Sequence, residues 1–243
     1  LKQYRHIVFV GIGKVSAKVA EFVESQLATR LTGGVVIDVV PANTKIIVSR
    51  VGTHPLPSTA NVSATTEIIT MLENLTEDDL AIMAISGGGS SLLTNPQVIT
   101  LDEERKITQA LMDAGANITE MNVVRKHLSS VKGGGLVKYA YPASVISLIF
   151  SDIPGDDLAQ VASGPTVQDK TTVNDAMDIM HRYQILDRCR MDHCGMRETP
   201  KDSKYFAKVN NILFCSNQVA LKAMERQAHD LGLTVKVWPG SFS

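Results

Sequence analysis

The chain has little of what marks a membrane, secreted or nucleic-acid-binding protein. No apolar run approaches the roughly 20 residues needed to cross a bilayer. Lys and Arg number 24 against 25 Asp and Glu, a formal net charge of -1, so the charge balance points to neither nucleic acid nor an anionic membrane as partner. There are only three cysteines, Cys189, Cys194 and Cys215. An odd, small number in a chain this long fits a reducing, cytoplasmic compartment. The stretch "CRMDHC" at 189–194 matches no strong zinc-ligand spacing and offers no evident fourth ligand, so its residues read as ordinary loop residues. A secretory leader is not recognisable: "LKQYRHIVFVGIGK" sets Arg5 and His6 before a strand-like run of five residues. The first residue is not Met and the first strand begins almost at once, which leads us to expect that the natural chain starts earlier. No internal repeat and no low-complexity tract is present.

What is there is an ordinary globular composition, 44% apolar and 20% charged, arranged in alternating runs. Strand-like runs are expected at 6–10, 35–40, 45–51, 80–85, 145–150, 211–215 and 234–237. Several are nearly continuously apolar, as strands covered on both faces are. Helical patterns are expected at 14–29, 58–74, 101–114, 118–130, 173–183 and 218–231, with Ser58 and Asp102 as starting caps and Gly115 and Gly232 as stops. This alternation predicts an α/β fold: a doubly wound, mostly parallel, Rossmann-like sheet with helices on both faces. Residues 184–210 are polar and weakly periodic, and read as a surface excursion. The final "WPGSFS" stops just after a strand-like run, where an α/β chain normally turns into its next helix, so both ends look cut.

Ligands of open α/β sheets bind beyond the carboxyl ends of the strands. After the first strand comes "GIGKVS" (11–16), in which Gly11 and Gly13 suit a tight turn beside an anion at a helix start. It nearly matches a dinucleotide fingerprint, with Asp38 as the candidate ribose acid, but Ser16 replaces the third glycine. Lys14 fits a phosphate better than a dinucleotide; the plainer alternative is a tight turn with a solvated lysine. After the 80–85 strand comes "SGGGSS" (86–91). No lysine follows Gly89, which excludes a Walker loop, and Leu92 stands where a nucleophile elbow needs glycine. What remains is an anion nest of Ser86, Gly87, Gly88, Gly89 and Ser90, with the serine hydroxyls as donors. A plain turn would need fewer glycines.

"NVVRKHLSSVKGGG" (122–135) gathers Arg125, Lys126, His127 and Lys132 before a second glycine run, Gly133–Gly134–Gly135. It suits polyphosphate or carboxylate contacts, or is a basic helix face with a glycine cap. "SDIPGDD" (151–157) places Asp152, Asp156 and Asp157 after another strand, where carboxylates hold Mg²⁺ or accept a hydroxyl proton, or simply form an acidic turn. "ASGPT" (162–166) and "CSN" (215–217) are further small hydroxyl-bearing loops. Together the motifs supply what phosphoryl transfer requires.

"GIGK", "ISGGGSSLL", "NVVRKHLSSVKGGGL" and "SLIFSDIPGDDLAQVASGPT", in this order, resemble the N-terminal domain of the MOFRL-associated glycerate 2-kinases over nearly the whole chain. The resemblance implies transfer of the ATP γ-phosphoryl group to the 2-hydroxyl of D-glycerate, with a divalent cation such as Mg²⁺. It implies a single α/β domain over residues 1–243, followed in the family by a second domain that brings Gly-Gly-Glu and arginine motifs across the cleft. Lys14 takes the place of the family's catalytic lysine, with Asp156 as a second catalytic candidate. The implied phosphate and substrate contacts are Gly11, Gly13, Ser86 to Ser90, Arg125, Lys132, Gly133 and Gly134. Asp152 and Asp157 are the candidate Mg²⁺ ligands. Gly52 to Pro57 matches the family's GxHPxP segment, so His54 joins Asn122 and Ser163 as a candidate cleft residue; the plainer reading of His54 is a turn histidine before proline. Val15 departs from the small residue usual after the loop lysine. The expected partners are D-glycerate and ATP, with no nucleic acid and no membrane; oligomeric state, a homodimer included, is open. Two other readings compete: an NAD(P)-dependent hydroxypyruvate reductase (glycerate dehydrogenase), and a non-catalytic nucleotide- or sugar-acid-binding module.

Overall fold

The computed structural model of the protein describes Leu1 and residues 3–237. Six strands form one all-parallel sheet: β1 (Ile7–Ile12), β2 (Gly33–Asp38), β3 (Ile47–Val51), β4 (Leu80–Ser86), β5 (Ser144–Phe150) and β6 (Val209–Cys215), in the order β3-β2-β1-β4-β5-β6. This is the doubly wound arrangement, and its strand order reverses direction between β1 and β4. The run at 234–237, expected as a seventh strand, is not one: it pairs with no other strand among the described residues, and an extended segment without a ladder is not a sheet strand. The "WPGSFS" segment lies outside the described residues.

Helices α1 (Ser16–Leu27), α2 (Thr59–Glu73), α3 (Gly89–Leu92), α4 (Leu101–Asp113), α5 (Ile118–Leu128), α6 (Gly135–Ala140), α7 (Val173–Arg182), α8 (Ile185–Cys189) and α9 (Asn217–Asp230) connect the strands. Ser58 caps α2 in a capping box with Asn61. For α4 the cap is Thr100, not Asp102. Thr100 Oγ1 accepts from Glu103 N–H at 3.2 Å and Glu103 returns the bond, while Asp102 lies inside the first turn, where its charge complements the helix dipole.

The near-continuous apolar β1 follows from burial on both faces. Val8, Val10 and Ile12 join the core formed with α2 and α6, and Ile7 and Phe9 join the core under α1. Burying each such side chain contributes about 1.5–3 kcal/mol. A third apolar cluster unites α4, α5, α7 and α8. The 184–210 excursion is tied into it rather than lying loose: Ile185 and Cys194 are buried there, and Thr199 and Lys201 reach the buried Asp169 network with Lys126. All three cysteines are unpaired. No helix among the described residues is long and apolar enough to cross a membrane.

Candidate active site at the sheet's switch point

The β1 and β4 loops meet where the strand order reverses, and their glycines are explained by that meeting. Gly13 has φ +109°, and a side chain there would overlap Ser86. Ser86 Oγ accepts from Val15 N–H at 3.2 Å, and Lys14 N–H donates to the Gly87 carbonyl at 3.0 Å. Ser86 is therefore a staple between loops. Gly11 lies inside β1, where a Cβ would come within 2.6 Å of Val36. The start of α1 is also occupied internally. Buried Asp38 accepts from Ala17 N–H at 2.9 Å and from Val39 N–H at 2.6 Å, and Ser16 Oγ donates to the Gly13 carbonyl at 2.6 Å. The candidate ribose acid is spent as a helix cap, and with it goes the main support for a dinucleotide at this turn.

Each glycine of the second loop has a different neighbour. A methyl group on Gly87 would overlap the Asp152 carboxylate. At Gly88, with φ +83°, it would lie 3.0 Å from Lys14 Cε and 3.2 Å from His54 Cδ2; at Gly89 it would lie 2.5 Å from Ala162 Cβ. The loop is thin so that an acid, a lysine and a histidine can converge on its backbone. Three compartments surround it. One of about 250 Å³ is lined by His54, Gly88, Ser90, Ser91, Thr108 and Arg125. One of about 540 Å³ is lined by Gly87, Gly88, Ser90, Asn122, Asp152, Asp157 and Gln160, among others. The third, about 450 Å³, lies between Lys14, Asp152 and the 215–217 loop.

The cations of this cleft lack partners. Lys14 and Arg125 form no ion pair and no side-chain hydrogen bond among the described residues. Burial pushes the Arg125 guanidinium below its ordinary range, opposed by the charge of Glu104. His54 is pushed below its usual value of 6.5, first by desolvation, then by the positive charges of Lys14 and Arg125, with Asp152 opposing. An anion would relieve this crowding of positive charge. Across the cleft, the Asp152 carboxylate is also free of hydrogen bonds among the described residues.

Not every expected residue is here. Lys132 is fully buried and pairs with Glu104 at 3.3 Å, and Glu104 accepts from Thr94 Oγ1 at 2.6 Å. Gly133 N–H donates to the Ser163 carbonyl at 3.0 Å and Gly134 N–H to the Gly164 carbonyl at 2.8 Å. The second glycine run is thus a brace for the 162–166 loop, and its N–H groups are not available to a phosphate. Asp156, at φ +52°, does not line the cleft compartments, whereas Asp152 and Asp157 do. Asn122 and Ser163 are brought together and joined to Ser90: Ser163 Oγ donates to Asn122 Oδ1 at 2.8 Å and lies 3.0 Å from Ser90 Oγ. Ala162 and Ser163 hold left-handed φ values of 52° and 60°, strain of the kind that collects at functional loops. Glu104 and Gln160 were not foreseen. Glu104 reads in sequence as one more acid in a helix's first turn, and only its burial distinguishes it.

No three His, Cys, Asp or Glu side chains converge as a metal cage among the described residues. Asp152 and Asp157 on one compartment do suit Mg²⁺, which commonly takes one or two carboxylates and completes its shell with water and substrate phosphates.

The switch-point crevice of this doubly wound sheet gathers cations without ion-pair partners among the described residues, together with carboxylates, an arrangement that suits an anionic ligand. Its relationships agree. The chain belongs to the family described as domain of unknown function DUF4147, whose model matches residues 1–193. It is 35% identical to human glycerate kinase over 258 residues, 94% of this chain and 48% of that protein. It is 34% identical to D-glycerate 2-kinase of Thermotoga maritima over 200 residues, 80% of this chain and 48% of that one. An Agrobacterium vitis relative that carries a hydroxypyruvate reductase name is 41% identical over 233 residues, 93% of this chain and 52% of its own length. The crystal structure of glycerate kinase from Thermotoga maritima superposes with a TM-score of 0.80 at 30% identity, over 95% of this chain and 56% of that one. The chain spans about half the length of the curated relatives it matches.

Proposed function

We propose that this chain forms part of a cytoplasmic, ATP-dependent glycerate kinase that transfers the γ-phosphoryl group to the 2-hydroxyl of D-glycerate. The observation that carries this reading is the pair of cations without ion-pair partners among the described residues, Lys14 and Arg125, set around a glycine loop, with Lys14 lining one compartment together with Asp152. In-line phosphoryl transfer needs little covalent chemistry from the protein; it needs charge neutralisation and alignment. Lys14 is placed to neutralise charge on the transferring group, and Arg125 beside His54 to hold a carboxylate. Asp152 and Asp157 are the residues that would hold Mg²⁺, whose chemistry is to neutralise phosphate charge. His54, pushed below its usual value first by desolvation and then by its cationic neighbours, can accept a proton or a hydrogen bond near this anion.

The kinase names among the relatives support the substrate. The reductase name is shared within the same set of relatives, but Asp38 is committed to the α1 cap, so the nicotinamide reading lacks its ribose acid. The test is direct. Full-length protein is incubated with D-glycerate and either Mg²⁺-ATP or NAD⁺. Glycerate-dependent ADP release is expected; NADH absorbance without ADP release would overturn the kinase reading in favour of the reductase.

A further inference from the structure

The hydrogen-bond chain that ends at Ser90 has a polarity, and it runs opposite to the one expected for a serine lining a phosphate loop. It begins in the interior, at Asn122, which is 2% exposed. The Asn122 Nδ2 lies 2.7 Å from Gln160 Oε1 and 3.4 Å from the Gln160 backbone carbonyl. A backbone carbonyl only accepts, so it fixes which end of the Asn122 amide faces it; the reversed amide would set oxygen against oxygen. The amide oxygen, itself only an acceptor, is therefore the atom 2.8 Å from Ser163 Oγ, and Ser163, 0% exposed, must donate its single proton there. Ser90 Oγ lies 3.0 Å from Ser163 Oγ. With the Ser163 proton committed, the bond between the two hydroxyls is donated by Ser90.

We propose that Ser90 presents lone pairs, not a proton, to the cleft, and so selects a ligand that carries a hydroxyl donor beside its carboxylate. Ser90 is on the wall of both the Arg125 compartment and the Asp152 compartment. The guanidinium of Arg125, on the wall of the first compartment, can only donate, so a carboxylate belongs against it. The adjacent carbon then meets an acceptor at Ser90. A hydroxyl there donates into a waiting lone pair; a keto oxygen meets another oxygen. The site is thereby set for a 2-hydroxy acid and against the corresponding 2-oxo acid. This rests on the glycerate reading for the placement of the carboxylate, and it separates glycerate from hydroxypyruvate at the one carbon where they differ.

The test uses full-length protein without nucleotide, measuring dissociation constants for two pairs of probes: D-glycerate against hydroxypyruvate, and D-lactate against pyruvate. The second pair differs at the same carbon and carries no other hydroxyl. The unmodified protein should bind each hydroxy acid about tenfold more tightly than its oxo partner, the scale of one hydrogen bond gained against one repulsive contact. Ser90→Ala should bring both ratios close to one, and Ser90→Thr should retain them. Asn122→Leu releases the Ser163 proton to Ser90, turns the Ser90 proton outward and should shift both ratios towards the oxo acids. A general loss of folding would weaken both members of a pair alike and, checked by melting temperature, leaves the Ser90→Thr comparison to decide. Unmoved ratios in Ser90→Ala, or equal binding of hydroxy and oxo acids by the unmodified protein, would overturn the proposal. ADP release is measured separately, on the same protein preparations supplied with Mg²⁺-ATP and D-glycerate: hydroxyl preference without phosphoryl transfer removes the kinase reading alone, and transfer with ratios unmoved by Ser90→Ala removes this proposal alone.

Discussion

Lys14, Arg125 and His54 act on one another before any ligand arrives, and this sets what single substitutions should do. Lys14→Ala in the full-length protein is expected to lower kcat by ~10²–10³, the range for removing one group that stabilises developing charge, with binding of D-glycerate little changed. Near-normal kcat would take Lys14 out of the chemistry. His54 should titrate below 6.5, and its shift has a sign for each neighbour. Replacing Lys14 or Arg125 by a neutral residue removes a positive charge and should raise the imidazole value; replacing Asp152 should lower it further. Imidazole resonances followed by NMR across pH report this directly. The same shift bears on stability. Because the folded protein holds the His54 proton less tightly than the unfolded chain, His54 disfavours the folded state as pH falls below 6.5, and this contribution vanishes above it.

At the scale of elements, the buried pair Lys132–Glu104 fastens the loop after α5 to α4. Glu104→Ala leaves an uncompensated buried ammonium and is expected to cost about 3–5 kcal/mol in denaturant unfolding, whereas replacing both partners by Met and Leu should recover most of that loss. Single and double variants that lose stability equally would show that the pair's shape, not its charge, is what matters. Six strands and most helices were legible from local signals: unbroken apolar runs such as 80–85, the Ser58 cap, the Gly115 stop. The 234–237 run shows the limit of that approach, since alternation marks a segment fit to be a strand and a ladder partner decides whether it is one. The site divided the same way. That Lys14, Ser86–Ser90 and Asp152 lie near one another followed from their places after strands, whereas Arg125, inside α5, was legible only through its basic cluster and the family resemblance. That Gly133 and Gly134 brace a neighbouring loop could not be seen, because the acceptors of their N–H groups, the carbonyls of Ser163 and Gly164, lie about 30 residues away in sequence. Asp38 reads as a ribose acid by spacing alone; the Ala17 N–H that consumes it becomes apparent only once β2 is set beside the start of α1.

Across the whole molecule the sheet is finished unevenly. β1 and β4 are buried, but Leu213 and Phe214 of β6 are exposed, α9 buries none of its residues, and Val219 and Met224 project from it. The 243-residue chain by itself should bind a hydrophobic dye strongly, and replacing Phe214 and Met224 by Ser should reduce the fluorescence severalfold; an unchanged signal would place the dye elsewhere. Since the relatives are about twice as long, the same chain alone should turn over D-glycerate poorly, and full turnover in an ADP-release assay would show that these residues suffice. The bond between Val15 and Ser86 joins residues 71 apart, and it forms where β4 docks against β1. That gives the cleft a place in time. A chain emerging from the ribosome can pair β1 with β2 and β2 with β3 while Lys14 still has no wall to face. The long closure that brings in β4 is slow, as non-local parallel pairing is, and it sets the Ser86–Ser90 loop against Lys14; Arg125 on α5 and Asp152 after β5 join the cleft later in the chain. A chain folded only as far as β3 therefore offers no glycine wall opposite Lys14, and ligand binding during refolding should rise with the formation of the central strands, not before them.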